Sequence, residues 1–255
     1  MKPTDILKTN RPPSIIVFGS AGSGKTALVS QIKNAYMFDF DDGMRTAATL
    51  KDKFYHDRQQ IEFDVFKDPN PSSPEMYHNA RVKLMTISQA CRANTWKYDA
   101  LIVDSLTGLS DTIMRKVMKD ETGDALNKPE RNHWGAAVSY MDAFFSILRS
   151  INKLVILTAH INSLEDDNGN VLSFFPSSIT RNHGLKSIPW MMDEVWYASR
   201  QSGGGTSVDY FIDGGYVNKY MTRTRSSIGK IKHNDIGMIG LLEKVGYTYG
   251  KEKTI

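Results

Sequence analysis

The sequence predicts an α/β protein: a mostly parallel sheet flanked by helices, with an antiparallel extension toward the carboxyl end. Three observations carry that expectation. Short apolar runs alternate with helical stripes through the early part of the chain, as in βαβ units. One of those runs ends in a glycine-rich turn that opens a helix, "SIIVF" followed by "GSAGSGKTAL". The late part is strand-rich, with glycine turns between its runs, which suits antiparallel pairing.

Taken in order, residues 14–18 ("SIIVF") read as a buried strand and residues 26–33 as a helix. Residues 35–40 ("AYMFDF") form a second strand that ends at Asp41 and Asp42, and 61–66 ("IEFDVF") alternate as a third. "DPNPSSP" is a loop, with Ser73 placed as N-cap and Pro74 at the first helical position. Tyr77, Ala80, Leu84, Ile87 and Cys91 then fall at spacings of three and four, one apolar helical stripe. Residues 98–104 ("YDALIVD") are the next strand. Helical patterns cover about 107–119 and 135–151, with a polar loop between them. Residues 153–160 ("KLVILTAH") are another buried strand, and the Asn-Gly of "EDDNGN" predicts a hairpin over 162–175. "DEVWYAS", "SVDYFID" and "GYVNKYMT" read as the closing strands.

A chain of 255 residues suits one domain, here an arm (1–13), a core (14–231) and a carboxyl-terminal segment (232–255). Hydrophobic content of 40% and charged content of 24% are those of an ordinary globular protein. A net charge of +4 permits a polyanionic partner without requiring one. The single cysteine excludes an intrachain disulfide and a cysteine-based zinc site. The polar, proline-containing start is no signal peptide, and "IIVF" and "LVILTA" are too short to span a bilayer. The cytoplasm is the expected compartment.

The glycine turn matches G-x-x-x-x-G-K-[ST] in full. Gly19, Ser20, Ala21, Gly22, Ser23, Gly24, Lys25, Thr26 and Ala27 are the candidate nucleotide-binding residues. Glycines let successive N–H groups turn inward toward phosphate oxygens, and the helix start adds its positive end. Lys25 can reach the β- and γ-phosphates, and the Thr26 hydroxyl can ligate Mg²⁺. The competing explanation, a chance glycine turn, is disfavoured by the strand before it and the helix after it. Asp104, delivered by "ALIVD" to a strand's carboxyl end, is the second metal-side candidate. A cap for the following helix is its alternative role. Asp41 and Asp42 are candidates to orient the attacking water if their strand neighbours the first one. Otherwise they form an acidic turn with Gly43. His160 ends another apolar strand, either as a polar γ-phosphate sensor or as a satisfied structural histidine.

Other P-loop classes fit less well. "NKPE" ends in Glu and follows no strand, and "DSLTG" misses D-x-x-G by one residue, so a GTPase is rejected. AAA+ motors usually carry Asp-Glu after the metal-side strand, where Ser105 stands here. No arginine-rich lid supports a small-molecule kinase.

The ordered set "GSAGSGKT", "FDFDDG", "LIVDS", "HWGAAVSYM", "LVILTAH", "DEVWYA" and "TRTR" resembles the RecA-like nucleotide-binding ATPases of bacteriophages, the Sak-four-type recombination proteins, from about residue 14 to 231. The resemblance implies a RecA-like core, ATP with Mg²⁺, single-stranded DNA as partner, and phage recombination by strand annealing. It also implies a homo-oligomer, ring or filament, and contact with a phage single-stranded-DNA-binding protein. Asp41 matches the position where such proteins usually carry a water-activating glutamate, one methylene longer, with Asp42 next in line. His160 matches their polar sensor. Arg223 and Arg225 match a basic pair that reaches nucleotide across a subunit interface, or else form a solvated strand end. For DNA, the loops after the metal-side and sensor strands are the candidates: residues 119–134, and residues 174–186 with Phe174, Phe175, Arg181, His183 and Lys186. In the second loop the phenylalanines could instead pack on the core. Two other functions stay open: a nucleotide-gated annealing module with little turnover, and a phosphotransferase acting on a small metabolite.

Overall fold

Apolar runs buried at every position except Ser14 make the middle of the sheet: β1 (Ser14–Gly19), β2 (Ala35–Asp39), β4 (Ala100–Asp104) and the first half of β5 (Leu154–Glu165). The computed structural model describes residues 12–203, 207–215, 219–226 and 228–250. With β3 (Glu62–Val65), β7 (Glu194–Ser202), β8 (Val208–Asp213) and β9 (Lys230–Lys232), the order is β3-β2-β4-β5-β1-β7-β8-β9, and β6 (Val171–Pro176) pairs with β5. β1, β2, β3, β4, β5 and β7 run parallel, whereas β6, β8 and β9 are antiparallel to their neighbours. The predicted fold class is therefore the observed one. The parallel registers bring Gly19 beside His160 and Asp39 beside Asp104. That gathers the carboxyl ends of β1, β2, β4 and β5 along one edge, where α/β sheets bind ligands.

Strand alternation sorts the core onto two faces. Ile16 and Phe18 point to α4 (Met76–Arg92), α5 (Leu106–Thr122) and α6 (Arg131–Arg149), whose Leu84, Ile113 and Phe144 lie in the same cluster. Ile15 and Val17 point the other way, to Leu28 of α1 (Lys25–Val29) and Leu241 of α8 (Gly237–Lys244). The predicted stripe on α4 is buried from Tyr77 to Ile87 and half-buried at Cys91. Three short helices, α2 (Met44–Ala47), α3 (Tyr55–Arg58) and α7 (Ile188–Met191), fill connections, and a π-turn spans His183–Ser187.

Several boundaries differ from expectation for local reasons. The α1 helix stops at Val29, where three-residue bonds from Gln31 to Leu28 and from Ile32 to Val29 tighten the last turn. Ser73 does not cap α4. Asp68 does, its Oδ1 accepting from the N–H groups of Glu75 at 2.8 Å and Met76 at 2.9 Å. α6 begins earlier than expected because Glu130 and His133 cap each other reciprocally. The predicted hairpin forms between β5 and β6. "GYVNKYMT" is not a strand where it can be described. Lys219 has a φ of 67°, and Tyr220 makes an isolated bridge to Phe174 while stacking on Tyr197. Its residues 216–218 lie outside the described residues. The edge strand is instead Lys230–Lys232. Among the described residues, no helix is long and apolar enough to cross a membrane.

Candidate nucleotide and metal site

The end of β1 is packed so tightly that only glycine fits: a Cβ on Gly19 would run into the Ala198 carbonyl of β7. Gly22 and Gly24 have φ of 73° and 82°, the left-handed region that glycine enters without strain. Ser20 and Ala21, before Gly22, are exposed, whereas Ser23, between the two glycines, is buried, its N–H bonded to the Ser20 carbonyl at 3.2 Å. Lys25 opens α1, and Thr26 and Ala27 follow within its first turn. The buried Lys25 Nζ reaches back across the loop to the carbonyls of Gly19 at 2.8 Å and Ser20 at 2.9 Å. Burial lowers the proton affinity of this ammonium, and Asp104 and Asp41 partly restore it.

Opposite the loop, Thr26 Oγ1 donates to Asp104 Oδ2 at 2.7 Å. The other Asp104 oxygen accepts from the Thr158 hydroxyl on β5. Burial pushes the Asp104 carboxyl up to about 6, the two hydroxyls oppose that, and the nearby Asp39 and Asp41 add to it. Gly43 keeps the spot clear, since a Cβ there would stand 3.0 Å from Asp104 Oδ2 and 3.1 Å from Thr26 Cγ2. A buried carboxylate without an ion pair among the described residues, touching a threonine hydroxyl, fits a hard divalent cation such as Mg²⁺. No group of three metal-ligating His, Cys, Asp or Glu side chains exists among the described residues, so further ligands there must come from phosphate and water.

The water-orienting candidates arrive by a different route from the expected one. β2 does not neighbour β1, because β4 and β5 stand between them. The turn after β2 nevertheless bends toward the site. Buried Asp39 shapes it: Oδ1 accepts from the N–H groups of Asp41 at 3.1 Å and Gly43 at 3.0 Å, and Oδ2 from Met44 at 2.9 Å. Asp41 Oδ2 then accepts from Ser105 Oγ at 2.6 Å and lies 3.9 Å from His160 Nε2. The His160 N–H is held by Thr107 Oγ1 at 3.0 Å. Ser105 follows Asp104 through a cis peptide and also caps α5. Asp42, at φ 59°, turns to Arg45 at 3.6 Å, so of the two acids Asp41 faces the site. Sequence reasoning missed Asp39, Ser105 and Thr158. Their signal was a polar residue at or near the end of an otherwise apolar strand, the same signal that exposed Asp104.

The remaining candidates lie elsewhere. Arg225 pairs with Asp193 at 2.9 Å, and Asp193 holds the Ser14 N–H at 3.0 Å, at the amino end of β1. Arg223 donates to the Pro189 carbonyl at 3.0 Å and lies over the Trp190 ring. Neither arginine reaches its own glycine loop. Two of the proposed DNA contacts are corrected. Phe175 is fully buried against Gly184, so no base can stack on it. His183 is buried, with Nε2 at 3.0 Å from Asp142 and Nδ1 at 2.8 Å from Ser178, and is closed to a phosphate. Phe174 is half-buried and stacked on Tyr220, while Arg181 and Lys186 are exposed.

A glycine loop after a central strand, its lysine and threonine facing an aspartate at the end of a nearby strand, defines a P-loop nucleotide-binding protein of α/β architecture. The family model described as an AAA domain matches residues 11–230, and the chain belongs to that family. The Asp104–Ser105 ending, which counted against AAA+ motors, does not keep the chain out of it. No curated protein matches the chain. Among solved structures, it is similar to an ATPase of the type III secretion system of pathogenic bacteria, at 14% identity and a TM-score of 0.49, over 74% of this chain and 52% of that one. It thus spans about half the length of that ATPase. It is also similar to the flagellar accessory protein FlaH from Methanocaldococcus jannaschii, at 10% identity and a TM-score of 0.42, over 91% of this chain and 88% of that one.

Proposed function

We propose that the chain is a magnesium-dependent ATPase that assembles on single-stranded DNA and serves phage recombination by strand annealing. The observation that carries the ATPase reading is the 2.7 Å contact between Thr26 and the buried Asp104 at the mouth of the glycine loop. With ATP present, Lys25 exchanges its two carbonyl partners for β- and γ-phosphate oxygens. Thr26 and Asp104 would hold Mg²⁺, which supplies neutralisation of the charge that develops on the transferring phosphoryl group. Asp41, fixed by Ser105, orients the attacking water and accepts its proton, and His160 stands where it can hydrogen-bond the γ-phosphate.

The DNA part rests on the resemblance to phage recombination proteins and on the exposed Arg181 and Lys186, which follow Phe174 in the chain. Arg223 and Arg225 are engaged away from their own loop, so reaching a neighbouring subunit's nucleotide in a ring or filament requires them to release Pro189 and Asp193. A phage single-stranded-DNA-binding protein is the natural loading partner, in the host cytoplasm.

The test is ATP hydrolysis by the full chain with Mg²⁺, alone and with single-stranded DNA, double-stranded DNA or RNA, across a salt series. Stimulation by single-stranded DNA that falls steeply with salt is expected. Failure to bind any adenine nucleotide overturns the ATPase reading, and indifference to every polynucleotide overturns the DNA reading. A second function, annealing gated by nucleotide with little turnover, is favoured by the short Asp41 side chain being engaged by Ser105. Full ATP-dependent annealing by Asp41→Ala would select it.

A further inference from the structure

The far side of β1 brings a charge to the glycine loop that the sequence motifs do not announce. Phe18 and Tyr197 are register partners, so β7 continues past the end of β1 alongside the loop. Farther along β7, the Arg200 guanidinium rests directly on Gly22. A Cβ on that glycine would lie 3.0 Å from Nη1 and 3.4 Å from Cζ. Arg200 pairs across the ladder with Tyr210 of β8, whose ring covers Gly24, with Cδ1 2.9 Å from a Cβ placed there. Both left-handed glycines of the loop are thus roofed by side chains of the antiparallel flank.

Arg200 is exposed, and no carboxylate, carbonyl or aromatic ring takes its guanidinium among the described residues. Arg58 is buried on Asp52 at 2.6 Å, Arg225 holds Asp193, and Arg223 lies over Trp190. Several exposed arginines on helices and loops, such as Arg92 and Arg181, are equally free among the described residues, so what sets Arg200 apart is its place on the glycine loop. A free, forked cation against a loop shaped for phosphates has an evident ligand class: a guanidinium can donate two parallel bonds to phosphate oxygens.

We propose that Arg200 is a cis-acting arginine of this site that pairs with the phosphate chain of the bound nucleotide. Tyr210 positions it by fixing β8 against Gly24. The proposal rests on the P-loop ATPase reading and deepens it, since it supplies from within the chain a positive charge that Arg223 and Arg225 cannot bring to their own loop.

The test compares Mg²⁺-dependent binding of ATP, ADP and AMP by calorimetry for the wild-type chain, Arg200→Ala, Arg200→Lys and Lys25→Ala. Arg200→Ala is expected to weaken ATP and ADP by roughly tenfold or more while changing AMP far less, so the preference for ATP over AMP shrinks. Arg200→Lys should recover part of it, as a point charge without the fork. An Arg200→Ala chain that keeps the wild-type preference for ATP over AMP overturns the proposal, while loss of that preference in Lys25→Ala leaves the P-loop reading standing. If the wild-type chain binds no adenine nucleotide, the P-loop reading falls first and the Arg200 assignment with it.

Discussion

The two flanks of β1 contribute to the site in different ways. On the side of β5, β4 and β2, the functional groups gather where the parallel pairing ends: Asp104 and Asp39 close their strands, Asp41 follows just past β2, and His160 lies level with Gly19 where β5 leaves β1 and runs on to pair with β6. On the side of β7 and β8, Arg200 and Tyr210 reach the loop from within strands that run past it. The contrast is sharpest in two buried acids. Glu194 of β7 has three donors, Trp196 Nε1 at 3.0 Å, the Arg225 N–H at 3.0 Å and Ser226 Oγ at 3.1 Å. Asp104 of β4 has two hydroxyls, both able to rotate away. The first carboxylate is spent on architecture. The second is held only by two hydroxyls that can turn aside, which is the state a cation-holding residue needs before its ion arrives.

The largest expected effect tests the parallel flank. Lys25→Ala should lower ATP hydrolysis by about a hundredfold to a thousandfold, the scale for losing one preorganised donor at a developing charge, with unfolding temperature little changed. Glu194→Ala should do the reverse. It strands three donors in the interior and should cost about 3 kcal/mol in urea unfolding, while activity per folded molecule stays within about twofold. If Glu194→Ala folds normally and loses hydrolysis, the division between the two flanks is wrong.

What could be read from sequence follows the same division. A parallel strand is apolar throughout, so "ALIVD" declares both the strand and the Asp104 that ends it, whereas "LVILTAH" declares the buried half of β5 but not that the strand runs past His160 to Glu165 as one arm of the hairpin. The glycine loop, the Thr26–Asp104 pairing and the choice of Asp41 over Asp42 were legible or nearly so. The antiparallel flank hides its contributions. Arg200 and Tyr210 sit in ordinary alternating strands, and only the β7–β8 register brings them over Gly22 and Gly24. Phe174 and Phe175 are neighbours in sequence, yet period-two alternation leaves one half-buried and the other fully buried. The cap on α4 was missed because Asp68 acts from seven residues before Glu75, beyond the spacing of a local capping motif.

The smallest of the expected effects concerns the hydroxyl-held carboxylate itself. Asp104 is pushed up to about 6 in the fold against 3.8 in an open chain, so the folded protein binds that proton more tightly than the unfolded one. Stability from this group is therefore fully present below the unfolded value, falls as pH rises through about 6, and stays reduced above it. The difference corresponds to a ceiling of about 3 kcal/mol, which rearrangement of the Thr26 and Thr158 hydroxyls will reduce. Asp104→Asn removes the charge and keeps the shape. With chelator present and no nucleotide, its unfolding temperature at pH 7.5 should exceed that of the wild type by about 2–6 °C. The gap should close as the pH is lowered from 6 toward 4, while Mg²⁺-dependent hydrolysis is lost at every pH. An Asp104→Asn chain no more stable than the wild type at pH 7.5 would mean that the apoprotein already satisfies this carboxylate. Asp104 would then resemble Glu194, and the flanks of β1 would no longer differ in how they treat a buried charge.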